Sequence, residues 1–347
     1  MKMTKKNIII SILVVALIVL SYLNILPDST PVQFVFNIAL MVAGFVMLIK
    51  GADIFVDGAS KIATKFNIPQ MVIGLTIVAF GTSLPEAAVS ISGALSGSAG
   101  ITVGNVVGSN IMNILLILGV SSCIAALPLK KNTFRIEIPF VIVITILLLF
   151  LGMTGDELSR FDGIIFIVLM AVFMVYLVYS AKNGESDDET TELTEKDTMP
   201  ILLLLVLIGG VCIVLGSDVT VGAASYIAEK CGMTPRLIGL TIVAFGTSLP
   251  ELVTSATAAK RGKVDIAIGN IVGSNIFNIL FVVGISAIII DIPFETAFIK
   301  DAIVAIFAAV LLFVAVIKNK KLTRKGGIVM LVSYAAYFSY ILYMNYM

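Results

Sequence analysis

The chain has 347 residues, 59% of them hydrophobic and 13% charged, with a mean hydropathy of +1.09 and a formal net charge of +1. Soluble domains carry about 25% charged residues, so this composition excludes an ordinary water-soluble globule, and the absence of histidine excludes His-ligated metals, His-based triads and His proton relays. The three cysteines, Cys123, Cys212 and Cys231, are scattered without metal-ligand spacing, and no basic aromatic patch points to nucleic acid.

Apolar runs near 20 residues recur from end to end, the mark of a polytopic membrane protein. Its spans must be helical, because backbone groups in lipid have to bond within their own segment. The first run, 7–26, follows Lys2, Lys5 and Lys6. It exceeds a signal-peptide core of about 7–15 residues, and Pro27 and Asp28 follow it instead of a small-x-small cleavage site. Residues 1–30 are therefore expected to be a retained N-terminal membrane helix or uncleaved anchor. Further spans are expected at 33–50 (continuing past Asp53 and Asp57), 70–95, 102–126, 136–152 and 163–181. The segment 181–199 (AKNGESDDETTELTEKDTM) has the composition of a solvated linker. Its acidic residues lack EF-hand spacing. Spans near 200–227, 235–258, 266–290, 302–317 and 327–345 follow.

The pattern is five spans plus five, with one more in front. Residues 31–180 form the first half and 200–347 the second. Lysine and arginine cluster in alternate loops, as at Lys61, Lys65, Lys130, Lys131, Lys260, Arg261, Lys263, Lys320 and Lys321, while few lie in the others. The positive-inside rule then puts the N-terminus in the cytoplasm and the C-terminus outside. Because five is odd, the halves insert upside down relative to each other.

The halves are copies. Residues 73–86 read IGLTIVAFGTSLPE and residues 238–251 read the same, 165 positions on. The same offset lays GNVVGSNIMNIL at 104–115 on GNIVGSNIFNIL at 269–280. Fourteen identical residues at fixed spacing mean a duplicated unit. Inverted repeats are a recurrent plan of secondary transporters, with the site near the midplane between the repeats.

Each copy carries one glutamate, Glu86 or Glu251, in an otherwise apolar run. A carboxylate at the bilayer centre costs a few kcal/mol (~3) even on insertion scales, so it needs a partner. Pro85 lacks an N–H and frees the carbonyl of Gly81, which predicts a broken helix lining a site. Thr82 and Glu86, four apart, are expected on one helix face, with carbonyls near Ala79 beside them. Thr247, Glu251 and the carbonyls near Ala244 repeat the set. All are hard oxygen donors of the kind Ca²⁺ takes. The GSN segments add Ser109, Asn113, Ser274 and Asn278, while Gly104, Gly108, Gly269 and Gly273 allow close helix approach. Asn110 and Asn275 are expected to bond across helices, and Lys50, Asp53, Asp57 and Asp218 to be interface charges. A packing-only role fits a lone intramembrane Glu better than two in identical context. Two negative charges balance one Ca²⁺, two Na⁺ or two protons.

These paired GTSLPE and GN-x-V-GSN segments, in inverted halves around a polar loop, resemble the α-repeats of the calcium/cation antiporter superfamily, in particular its prokaryotic sodium/calcium exchanger branch. The resemblance covers roughly residues 33–345. It implies a ten-helix core, here with an added first helix, and exchange of about three Na⁺ for one Ca²⁺ by alternating access. Carried over by position, it implies Ca²⁺ ligands at Thr82, Glu86, Thr247 and Glu251. It implies Na⁺ sites that add the carbonyls of Ala79 and Ala244 with Ser83, Ser248, Ser109 and Ser274, and Asn113 at the centre. Many such exchangers have Asp where this chain has Asn278, which bears on the central position and on stoichiometry.

The expectation is thus an antiporter of the cell membrane, working as a monomer, with Ca²⁺ and Na⁺ as substrates, the lipid bilayer as its setting, no nucleic-acid partner and no cofactor. H⁺/Ca²⁺ exchange and a cation channel are the rivals. An intramembrane hydrolase using Ser83 or Ser248 lacks a His or a nearby Lys as base.

Overall fold

The computed structural model of the protein describes residues 30–95, 100–183, 193–195, 197–232 and 244–346. The expected helix over 7–26, most of the 181–199 linker and the first part of the second repeat segment lie outside the described residues.

The chain is an all-α polytopic bundle. Its elements are α1 (Thr30–Phe66), α2 (Gln70–Thr82), α3 (Leu84–Leu95), α4 (residues 100–124), β1 (Leu127–Pro128), α5 (Thr133–Met153), β2 (Glu157–Leu158) and α6 (Arg160–Asn183). The second half follows with α7 (Met199–Lys230), α8 (Ala244–Thr247), α9 (Leu249–Lys260), α10 (Val264–Ile289), β3 (Ile292–Pro293), α11 (Thr296–Ile317), β4 (Lys321–Leu322) and α12 (Arg324–Tyr346). Among the described residues eight helices are long and apolar enough to cross a membrane, and nine if the bent pair α2–α3 is one span.

Burial sorts the helices. In the apolar windows of α4 and α10, 72% and 83% of residues are buried, against 11% in α12. The two GSN-bearing helices therefore form the centre. Close approach there requires glycine. A Cβ on Gly269 would lie 3.0 Å from Gly74 Cα, and one on Gly273 would lie 2.8 Å from Leu75 Cα. In the first half, Gly108 meets nothing within 4 Å among the described residues.

Helices α1 and α7, equivalent in the repeat, pack on each other through small residues. A Cβ on Gly44 would lie 2.9 Å from Gly216 O, and one on Gly51 would lie 3.0 Å from Gly209 O. Gly44 and Gly51 are the repeat counterparts of Gly209 and Gly216, so each faces the other's partner. That order holds only if the two helices run antiparallel, as inverted halves require. Helix α1 has 37 residues, about 55 Å at 1.5 Å per residue, against about 30 Å of hydrocarbon. Its excess length carries Asp53, Asp57, Lys61 and Lys65.

Four short strands were not foreseen. They form two antiparallel pairs, β1 with β4 (Leu127 opposite Leu322) and β2 with β3 (Leu158 opposite Ile292). Each pair joins a loop of one half to a loop of the other. Several charged residues form ion pairs: Lys130 meets Asp265 at 3.0 Å, Arg261 meets Asp53 at 2.9 Å, and Lys61 meets both Asp57 and Asp197 at 3.1 Å.

Candidate cation site between the repeats

The two GTSLPE segments break as Pro85 and Pro250 dictate. Ser83 ends the helical dihedrals of α2 with φ −85° and ψ 7°, and Ser248 repeats this before α9 with φ −92° and ψ 6°. Between α2 and α3 the axis turns by 51°. With no N–H on Pro85, the carbonyl of Gly81 loses its helical donor. Its counterpart, Gly246 O, accepts a bond from Ser217 Oγ of α7 at 2.8 Å. The carbonyl of Ala79 keeps the N–H of Ser83 at 3.0 Å and lies 3.3 Å from Thr82 Oγ1. Ala244 opens the short helix α8.

The bend changes what the glutamates meet. Thr82 and Glu86 do not share one continuous helix face. Instead the hydroxyls of each half serve the carboxylate of the other. Ser83 Oγ donates to Glu251 Oε1 at 2.7 Å, and Ser248 Oγ donates to Glu86 Oε1 at 3.0 Å. Thr82 faces Glu251 and Thr247 faces Glu86 in the same crossed manner. The GSN serines close the ring: Ser274 Oγ reaches Glu251 Oε1 at 3.4 Å, and Ser248 Oγ reaches Ser109 Oγ at 3.3 Å.

Burial makes this arrangement consequential. Glu86 is 1% exposed and Glu251 0%. Four buried oxygens here, Glu86 Oε2, Glu251 Oε2, Asn113 Oδ1 and Asn278 Oδ1, have no hydrogen-bond partner among the described residues. They form two pairs related by the repeat. An unpaired buried carboxylate is too costly to persist alone, by several kcal/mol (~3–5). Asn113 and Asn278 each begin a π-helical turn, at Asn113–Leu118 and Asn278–Val283. Such turns widen a helix at functional positions.

The asparagines just before them lock the two central helices. Asn113 Nδ2 donates to Asn275 Oδ1 at 2.9 Å and Asn278 Nδ2 to Asn110 Oδ1 at 3.1 Å. Asn110 Nδ2 donates to Asn275 O at 3.2 Å and Asn275 Nδ2 to Asn110 O at 3.3 Å. The expected cross-helix bonding of Asn110 and Asn275 is present.

Two residues around the site were missed in the sequence. Asn270 Oδ1 accepts from Thr82 Oγ1 at 3.0 Å, and Asn270 Nδ2 donates to Ser255 Oγ at 2.9 Å. Its repeat counterpart Asn105 donates to Glu86 O at 3.2 Å and Ser90 Oγ at 3.0 Å. Their signal was visible: both are the Asn of the duplicated GN pair. Asp53 and Asp57 pair with Arg261 and Lys61, away from the carboxylates. Groups of three or more Asp, Glu, Cys or His are absent among the described residues, so hydroxyl, amide and carbonyl oxygens must complete any cage.

Two cavities flank the site. One of about 580 Å³ reaches Ser109 and Asn105 between Phe45, Thr220, Phe245 and Tyr337. The other, about 870 Å³, reaches Gly273 between Phe55, Phe80, Phe173 and Phe277. Phe80 and Phe245 are repeat equivalents, so the cavities are images of each other.

A polytopic helical protein with inverted halves and a buried acidic pair between them has the build of a secondary transporter for cations. The family described as "Sodium/calcium exchanger protein" matches at residues 36–179 and again at 201–343, and the chain belongs to this family, whose members are antiporters and not enzymes. It is 38% identical over 308 residues to the putative antiporter CaxA of Alkalimonas amylolytica, covering 86% of this chain and 96% of that protein. It is 32% identical to the sodium/calcium exchanger MaX1 of Methanosarcina acetivorans, covering 88% and 99%. Among solved structures it resembles the sodium-calcium exchanger NCX_Mj, with TM-score 0.77, 33% identity, and coverage of 88% of this chain and 99% of that one.

Proposed function

We propose that the protein exchanges Ca²⁺ for Na⁺ across the cell membrane by alternating access around Glu86 and Glu251. The observation that carries this reading is the pair of buried carboxylates, each with one oxygen bonded by the other half's serine and one oxygen unpartnered. Ca²⁺ is held by Glu86 and Glu251 with Thr82 and Thr247. Na⁺ uses the same carboxylates with Ser83, Ser248, Ser109, Ser274 and the carbonyls of Ala79 and Ala244, and Asn113 and Asn278 contribute amide oxygens at the centre. Oxygen ligands of mixed charge suit both cations. The empty site, carrying two buried negative charges, is costly to reorient, so each cargo licenses the return of the other. The names of the relatives, an antiporter and a sodium/calcium exchanger, support the pair of substrates.

The site is built within one chain, so the monomer is the working unit. Residues 31–180 and 200–347 are the two inverted halves, and 181–199 is the cytoplasmic linker. The N-terminus is cytoplasmic and the C-terminus outside. The test is Ca²⁺ uptake into everted vesicles with a Na⁺ gradient or a pH gradient imposed separately. Uptake driven by Na⁺ alone is expected. Uptake driven only by the pH gradient would assign the protein to H⁺/Ca²⁺ exchange, and single-channel currents would assign it to channels.

A further inference from the structure

We propose that Asn110 and Asn275 are positioning residues, which hold the side-chain amides of Asn113 and Asn278 with their oxygens toward the cations. The proposal rests on the site reading above.

An amide has a donor end and an acceptor end of nearly the same shape. In a cation cage only the oxygen is useful. An Asn free to turn over would present its NH₂ group, which repels a cation. The orientation must therefore be fixed from outside the cage.

The hydrogen bonds fix it step by step. A backbone carbonyl can only accept. Asn275 has one end of its amide 3.3 Å from Asn110 O, so that end is Nδ2. Its other end, Oδ1, can only accept, and it faces Asn113 at 2.9 Å. The end of Asn113 that meets it must be Nδ2. Asn113 Oδ1 is thereby turned away from Asn275, and it has no partner among the described residues. The same chain of constraints runs from Asn275 O through Asn110 to Asn278, ending at Asn278 Oδ1, also buried and unpartnered. Asn110, Asn113, Asn275 and Asn278 are each at most 3% exposed, so these bonds are shielded from bulk solvent. Each half thus orients the amide of the other half. The bonds cross between α4 and α10, the two most buried helices.

Asn113 and Asn278 are neutral in either orientation and take up no proton; pinned, they offer two neutral acceptors at the central position. All the fixed charge of the site then resides on Glu86 and Glu251.

The test is a double-substitution cycle read by Ca²⁺ affinity of the purified full-length protein, measured by calorimetry, beside folding checked by gel filtration and thermal melting. Asn275→Ala frees Asn113 to turn over and is expected to weaken Ca²⁺ binding about tenfold to a hundredfold, as loss of a partner to a ligand does elsewhere. In an Asn113→Asp background both ends at that position are acceptors, so turning over can no longer present an NH₂ group to the cation. There Asn275→Ala is expected to hold affinity within about twofold, the additivity error of such cycles, or to raise it, because the Asn275 Oδ1 that faces this position is removed. An equal loss in both backgrounds would mean that Asn275 only supports packing and would overturn the proposal, as would loss of all Ca²⁺ binding in Asn113→Asp alone. Asn110→Ala with Asn278→Asp is the symmetry-related cycle and serves if Asn275→Ala does not fold; if neither alanine variant folds, the pair is a folding element and the proposal falls. Undiminished Ca²⁺ binding in Glu86→Gln would instead overturn the site reading, leaving the cycle to be judged separately.

Discussion

Ser83 bonds to Glu251, 168 positions away in sequence, and not to Glu86, three positions away. Ser248 returns the bond to Glu86. Neither half owns a complete site, because each carboxylate is oriented by a hydroxyl from the other.

The first prediction follows from this mutual dependence. Glu86→Gln or Glu251→Gln removes one of two charges from the cage and costs about 3 kcal/mol or more, at least about a hundredfold in Ca²⁺ affinity. Calorimetry on folded protein measures it. The same substitution relieves the burial of two like charges, so the cation-free variant is expected to melt at a higher temperature than the cation-free parent.

Thr82 should behave as a ligand only while Asn270 takes its proton. Asn270→Ala lets the Thr82 hydroxyl donate toward Ala79 O or Glu251. Ca²⁺ affinity is expected to fall about tenfold. In a Thr82→Val background, which has no hydroxyl to misdirect, the same change is expected to cost little further.

Gly273 admits Leu75 because it has no side chain. In Gly273→Ala the new Cβ would lie 2.8 Å from Leu75 Cα and 2.8 Å from Ala79 Cβ. Backbone must shift, at a cost of about 1–3 kcal/mol, and the melting temperature in detergent should drop.

The charges on the far end of α1 should be dispensable for cation binding. Arg261 and Asp53 are 34% and 30% exposed at their side chains, and such pairs contribute about 0.2–1 kcal/mol. Arg261→Gln is expected to leave Ca²⁺ affinity within about twofold, a change below about 0.4 kcal/mol.

Asp197 offers a pH test outside the membrane. The N–H and hydroxyl of Thr194, and then Lys61, hold its carboxyl down from 3.8 to about 2. A lowered folded value means that the contribution of this turn is present above the ordinary carboxylate range and is lost as pH falls through about 2. Carboxyl-carbon NMR should show Asp197 titrating below the exposed aspartates, and Thr194→Ala, which removes the hydroxyl and keeps the N–H, should bring it part of the way back up.

Much of this was legible in the letters. The repeat, the break before Pro85, the buried glutamates and the Asn110–Asn275 bonding need only periodicity, proline chemistry and the cost of buried charge. The expected 163–181 and 302–317 spans lie inside the observed Arg160–Asn183 and Thr296–Ile317. The crossed serines were not legible. Placing Thr82 and Glu86 on one face assumes a straight helix, and the 51° bend sends them to different partners. The role of Ser217 was hidden too, since a carbonyl freed by Pro250 has no preferred partner until α7 packs beside it. The π turns at Asn113 and Asn278 arise from the tertiary crossing, which local propensity does not encode.

The strand pairs set limits on how the molecule can deform. β1–β4 and β2–β3 are images of each other under the repeat, since Leu127 corresponds to Ile292 and Glu157 to Leu322, and each clips α5 or α11 to the opposite half. The outer ring is therefore tied at two places. Among the described residues no strand tethers the long α1–α7 couple, which holds itself together through Gly44, Gly51, Gly209 and Gly216. The chain is a buckled hoop with a crossbar that no described strand clips, and flexing should fall on the crossbar before the hoop.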